Sequence, residues 1–193
     1  MEWNRSYEYT LRLDYNLNEE SIVFDVGGYL GWFSNEINNK YKPKIYCFEP
    51  INEYFLSLKS RFANFENINI FNLAISDKNS KDVIYVNNDA SSMYIKTGNE
   101  IEIYCNTLDK IMSDNNINHI DLMEINIEGE EYALLEYMIT NNLVIKCTDI
   151  QIQFHEIGDD CKKRYDYIKS ELEKTHRLTY HSPFVWENWE KIK

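Results

Sequence analysis

Short apolar runs alternate along the chain with longer stretches in which apolar residues recur every three or four positions. A parallel sheet with crossover helices reads this way, because a strand covered on both faces is apolar throughout while a covering helix is apolar along one stripe. The pattern predicts strands at 21 to 26 (SIVFDV), 44 to 49 (KIYCFE), 68 to 74 (INIFNLA), 119 to 127 (HIDLMEINI) and 148 to 155 (TDIQIQFH). Helices are expected near 31 to 40, 51 to 65, 129 to 140 and 161 to 175, and TLDKIMSDNN adds a short one with Thr107 as its N-cap. Residues 79 to 105 break the alternation with short strands around the polar NNDASSM, an insertion where one crossover helix would otherwise stand. At about 177 to 189, RLTYHSPFVWENW predicts two strands joined by HSP, a hairpin that closes the sheet antiparallel. No repeat, low-complexity tract or linker rich in Pro or Gly divides the chain, so one α/β domain over 1 to 193 is expected.

A chain of 193 residues is long enough to bury a sizeable core without staples. Its 20 Lys and Arg against 32 Asp and Glu give a net charge of -12, which disfavours DNA or RNA, since binding phosphates needs basic side chains to displace counterions. Cys47, Cys105, Cys147 and Cys161 are too widely spaced for a disulfide framework or a zinc site. MEWNRSYEYT lacks the pattern of a signal peptide, and no apolar run approaches the roughly 18 residues of a membrane span. A reducing cytoplasm is the expected setting.

VFDVGGYLGWFS, residues 23 to 34, carries the first chemistry. A strand that turns sharply into a helix needs glycine's positive φ and close approach, and Gly27, Gly28 and Gly31 supply them. The dinucleotide fingerprint G-x-G-x-x-G fails, because Tyr29 and Trp32, or Leu30 and Phe33, fill its later glycine positions. A P-loop fails for want of a Lys-Ser/Thr pair. Asp25 would repel a pyrophosphate but attract an ammonium group, directly or through water. Glu49 ends the next strand, where a carboxylate accepts both ribose hydroxyl protons. The pair suits a nucleoside bearing an ammonium and no phosphate, as in S-adenosylmethionine.

VFDVGGYLGWFS, IYCFEP, NLAISD, TLDKIM, IDLMEINIEGEEYALLEYMI, IQIQFH and FVWENW together resemble the FkbM family of S-adenosylmethionine-dependent methyltransferases, over about residues 20 to 189. The resemblance implies a class I methyltransferase (Rossmann-like) three-layer sandwich. Its sheet would be mostly parallel and seven-stranded with an antiparallel last strand, and the cofactor would lie over the carboxyl ends of the first strands. Carried over residue by residue, the resemblance puts Asp25, Gly27 and Gly31 beside the methionine part, with Gly28 in the same loop. Glu49 holds the ribose, Ala74 and Ser76 lie near adenine, and Asn126, Glu128 and Gly129 stand beside the reacting methyl. Two departures bear on that transfer: relatives often have Lys at the position of Glu124 and Asp at that of Asn126, and a small residue where Glu130 stands.

Methyl transfer to a hydroxyl needs alignment, exclusion of water and a base for the proton. His155 is the candidate base: in DIQIQFH, Ile150, Ile152 and Phe154 face one way while Gln151, Gln153 and His155 face the other, and the histidine falls at the carboxyl end of the strand, where such sheets bind ligands. A hydrogen-bonded structural histidine is the competing reading, and His119, His176 and His181 read as surface or packing residues. Glu128 reads either as an active-site carboxylate or as a first-turn residue stabilised by the helix dipole. Asn126, Glu128 and His155 could converge on a divalent cation, but three such groups are too few to favour one, and no metal site is assigned. Ser91 and Ser92 belong to a lid or to a polar turn; Trp186 and Trp189, with Glu187 and Asn188, either contact a sugar or anchor the terminal hairpin.

The expectation is therefore a cytoplasmic S-adenosylmethionine-dependent O-methyltransferase acting on a hydroxyl of a sugar or glycan precursor, an acceptor class drawn from the resemblance. Two alternatives stand beside it: a non-catalytic S-adenosylmethionine-binding module that regulates or scaffolds a glycan enzyme, and a dinucleotide oxidoreductase. Oligomeric state is left open.

Overall fold

The computed structural model describes residues 11–87, 90–92, 98–182 and 185–193, and for 87 and 90–92 the backbone alone. In chain order it contains β1 (Ile22–Val26), α1 (Trp32–Tyr41), β2 (Lys44–Phe48), α2 (Asn52–Arg61), β3 (Ile68–Phe71), β4 (Ala74–Ser76), β5 (Ser80–Asn87) and β6 (Ala90–Ser92). There follow β7 (Asn99–Thr107), α3 (Leu108–Asp114), β8 (Ile120–Ile125), α4 (Glu131–Thr140), β9 (Cys147–Ile152), α5 (Cys161–Leu172), β10 (His176–Ser182) and β11 (Trp186–Lys191). The main sheet has seven strands in the order β10-β11-β9-β8-β1-β2-β3, with β11 antiparallel to both of its neighbours. The class I methyltransferase arrangement expected from the sequence is the one observed.

Strand alternation distributes the core over two faces. Phe24, Val26, Met123, Ile125, Ile150 and Ile152 pack on α3, α4 and α5, while Val23, Ile45, Cys47 and Leu122 pack on Phe33, Ile37, Leu58 and Phe62 of α1 and α2. The three layers follow directly. A second sheet, in the order β4-β7-β5-β6, carries the insertion.

Several boundaries differ from the sequence pattern for physical reasons. The strand expected at 68 to 74 divides, because Asn72 donates its side-chain amide to the carbonyls of Glu49 and Pro50 and turns the chain toward β7. Thr107 stands at the N-cap of α3 but makes no cap bond; its backbone N–H donates to Asn79 Oδ1. The strand expected to reach His155 stops at Ile152. On the Gln151 face of β9, residues 11 to 17 cover the sheet, and Gln151 Oε1 accepts from Tyr15 Oη at 2.7 Å and from Arg12 N at 3.1 Å. Ser91 and Ser92 lie on β6 but their side chains, Pro183 of HSP and the first ten residues fall outside the described residues.

Candidate active site

β1 leads into the glycine turn. Gly27 has φ 101°, and a Cβ there would come within 2.2 Å of the Asn126 carbonyl oxygen, so the turn brings the ends of β1 and β8 together only with glycine. Gly27 N and Gly28 N both donate to Phe48 O, which ties the turn to β2. Beyond these strand ends opens a cavity of about 930 Å³. Asp25, Gly27, Gly28, Glu49, Ala74 and Asn126 all line it, as do Glu128 and His155.

Two expected residues do not. Gly31, at the N-cap of α1 with φ 77°, is pressed against Leu58 of α2 and Phe62 at its C-cap, so its smallness serves helix packing. Ser76 is buried with its hydroxyl directed at Asp77 and Glu130, and Ile75 lines the cavity in its place. Ile84 and Ile103 of the insertion complete an apolar wall with Ile51. The strand pattern foretold an insertion there but not this lining role.

Glu49 sits with Oε2 accepting from Tyr29 N at 2.9 Å and Oε1 from Ile51 N at 2.8 Å. Burial pushes its pKa up to about 7 against the opposing effect of those two bonds. Tyr29 takes φ 44° to make its bond, a left-handed conformation that costs an L residue about 1–3 kcal/mol and is typical of functional turns.

Asp25 pairs in register with Glu124 across β1 and β8, and both are buried. Burial raises both carboxyls; Ser34 and Cys47 bond to Asp25 and hold it lower, while the charge of Asp25 drives Glu124 higher still. Glu124 therefore keeps its proton and donates to Asp25, so the departure at Glu124 supplies Asp25 with a neutral partner. Because both pKa values are raised in the fold, the stability tied to the pair is complete below the unfolded carboxylate range and is lost as pH climbs through the folded values. Thermal unfolding should accordingly fall from pH 5 to pH 8 in the native chain and fall less in Glu124→Gln. At pH 8 the variant should melt higher, by about 2–4 °C for each kcal/mol recovered. Equal slopes in the two proteins would sink this account.

The turn after β8 brings Glu128 beside His155. Glu128 is not a helix cap: it has φ 48°, and α4 begins three residues later at Glu131. His155 Nε2 faces Glu128 Oε1 at 3.5 Å, and its Nδ1 faces Glu131 Oε1 at 3.2 Å. Burial alone would weaken the ring as a base, but the hydrogen bond and charge of Glu131 and the charge of Glu128 outweigh it, and the pKa is raised from 6.5. Glu128 itself is raised by burial.

The sequence reading passed over Glu131, although its position gave a signal. With Leu134, Leu135 and Met138 it completes a helical stripe that is otherwise apolar. Trp186 lines the cavity, whereas Trp189, Glu187 and Asn188 are buried in structural bonds: Glu187 with Tyr165 and Trp189 Nε1, and Asn188 with Asp149, Thr179 and Tyr15. His119, His176 and His181 bond to Thr148, to the Cys147 carbonyl and to Glu187, away from the cavity. Among the described residues no three His, Cys, Asp or Glu side chains gather as a metal-binding group, and no helix is long and apolar enough to cross a membrane.

From residue 25 to 180 the sequence matches the Methyltransferase FkbM domain. The chain belongs to the FkbM methyltransferase family. No curated protein matches it. Solved structures similar to this FkbM chain share its fold at low identity. An rRNA methylase from Streptococcus thermophilus is 13% identical with a TM-score of 0.56, over 97% of this chain and 95% of that one. The Streptococcus mutans protein SMU.1697c in complex with SAH is 12% identical with a TM-score of 0.58, over 97% and 96%. Aeropyrum pernix fibrillarin, with natively bound S-adenosyl-L-methionine, is 9% identical with a TM-score of 0.51, over 90% and 67%.

The FkbM protein is a S-adenosylmethionine-dependent methyltransferase, and its cavity fits that cofactor. Among the described residues Asn126 Oδ1 is buried without a hydrogen-bond partner, an acceptor suited to an ammonium, and Glu49 retains lone pairs for ribose hydroxyls. Gly27 lets backbone, not side chain, border the ligand.

Proposed function

We propose that this FkbM protein methylates a hydroxyl of a sugar or glycan precursor, with His155 as general base. The observation that carries the reading is the placement of the ring between Glu128 and Glu131 on the cavity wall. Bound S-adenosylmethionine supplies a methyl carbon ready for in-line displacement. Asp25, Gly27, Gly28 and Asn126 border its methionine part, Glu49 its ribose, and Ala74 with Ile75 its adenine. In that displacement the proton of the acceptor hydroxyl would pass to His155 Nε2. Glu128, beside that nitrogen, orients the hydroxyl and offsets the charge that the ring gains.

An uncharged polyol suits the surroundings. Glu128, Glu130 and Glu156 line this end of the cavity, carboxylates accept hydroxyl protons, and Trp186 offers an aromatic face. The same carboxylates and the net charge of -12 oppose an RNA acceptor, even though the similar structures include rRNA methylases. Free thiols at all of the cysteines accord with a cytoplasmic reaction.

An S-adenosylhomocysteine-release assay over sugar nucleotides, oligosaccharides, small hydroxylated metabolites and rRNA, with and without chelator, tests the proposal. Turnover on a hydroxylated carbohydrate in the presence of chelator is expected. Turnover on rRNA alone would replace the acceptor, and cofactor binding with no turnover on any of them would favour a binding module.

A further inference from the structure

Glu131 is fully buried, in the apolar stripe that α4 turns to the core. A carboxylate in such a place is costly unless hydrogen bonds satisfy it. The bonds it makes all lead to the two segments that carry the reaction. Its Oε2 accepts from Gly129 N at 2.7 Å, and its Oε1 accepts from His155 N at 2.7 Å and lies 3.2 Å from ring Nδ1. One side chain thus clamps the turn after β8 to the segment after β9.

We propose that Glu131 is a positioning residue that fixes the tautomer of His155: it holds the proton on Nδ1 and so leaves Nε2 to take the proton of the acceptor. The inference rests on His155 being the base. A carboxylate only accepts, so an Nδ1 in contact with Glu131 must carry hydrogen, and the neutral ring then has its lone pair on Nε2, the nitrogen facing Glu128. When that lone pair captures a proton, the negative charge of Glu131 stabilises the resulting cation without moving. The charged and titratable groups around the ring are Glu131 from α4, Glu128 from the turn, the adjacent Glu156, and Tyr132, whose hydroxyl donates to His155 O beneath the Arg164 guanidinium. Carboxylates predominate, and Glu131 is the one with no solvent to screen it.

Ring-nitrogen NMR on ¹⁵N-labelled protein bound to S-adenosylhomocysteine reads this directly, with His155→Ala to assign the signals. The expected result is a neutral His155 protonated at Nδ1, and in Glu131→Gln a ring with about tenfold lower proton affinity, one pKa unit. Glu131→Asp, which keeps the charge, should restore part of that loss. On any competent acceptor, Glu131→Gln should lower kcat and move the inflection of the pH–rate curve toward acid, with little change in KM for S-adenosylmethionine. A wild-type ring protonated at Nε2, or a Glu131→Gln ring with unaltered tautomer and affinity, overturns the proposal. Should Glu131→Gln not fold, the wild-type tautomer decides alone. An active His155→Ala removes the base itself, whereas an inactive His155→Ala beside an unperturbed Glu131→Gln removes only the positioning role.

Discussion

His155→Ala is expected to lower turnover by about 10²- to 10⁴-fold, the usual contribution of a general base, while S-adenosylhomocysteine affinity stays within about twofold. The separation follows from the site. His155 is held by Glu128 and Glu131, on the far side of the glycine turn from Glu49. In the native enzyme the base must be neutral to act, and its pKa lies above 6.5, so kcat should rise with pH and level off only above that raised value. Glu128→Gln, which removes one of the neighbouring negative charges, should shift the rise toward acid. A pH-independent rate, or a His155→Ala enzyme as fast as the native one, removes the residue from the chemistry.

Glu49→Ala should act on the other half of the cavity. Losing one hydrogen bond to an ionised acceptor costs about 1.5–3 kcal/mol, which corresponds to a cofactor Kd raised roughly 10- to 150-fold. The carboxyl titrates near pH 7 because it is buried. Its ionised form is the better acceptor for two ribose hydroxyls, so calorimetric affinity for S-adenosylhomocysteine should strengthen from pH 6 to pH 8 in the native protein. Glu49→Gln, which preserves size but cannot ionise, should flatten that dependence. Unaltered affinity in Glu49→Ala undoes the ribose assignment.

The alternation of apolar runs and amphipathic stretches located the strands and helices of the main sheet to within a few residues, because strands covered on both faces leave little freedom of pattern. It also placed the glycine turn and the acidic end of β2. The errors came from long-range hydrogen bonds that spacing does not encode: Asn72 ending β3 and Asn79 taking Thr107. Position at strand ends pointed to Asp25, Glu49, Asn126, Glu128 and His155, and all five line the cavity. Gly31 and Ser76 do not line it, and a strand-to-helix glycine serves a ligand or a neighbouring helix with the same local sequence. Glu131 was visible only as a charge out of place on an apolar stripe, a meaning that the packing against His155 supplies.

The position of β11 also bears on biosynthesis. Since it slots between β9 and β10, the edge of β9 next to His155 stays open until residues 186–191 have left the ribosome. A nascent chain halted before that point exposes unpaired backbone near His155, and Trp186 is not yet present on the cavity wall. Once β11 is made, it shields that edge and completes the cavity wall with Trp186.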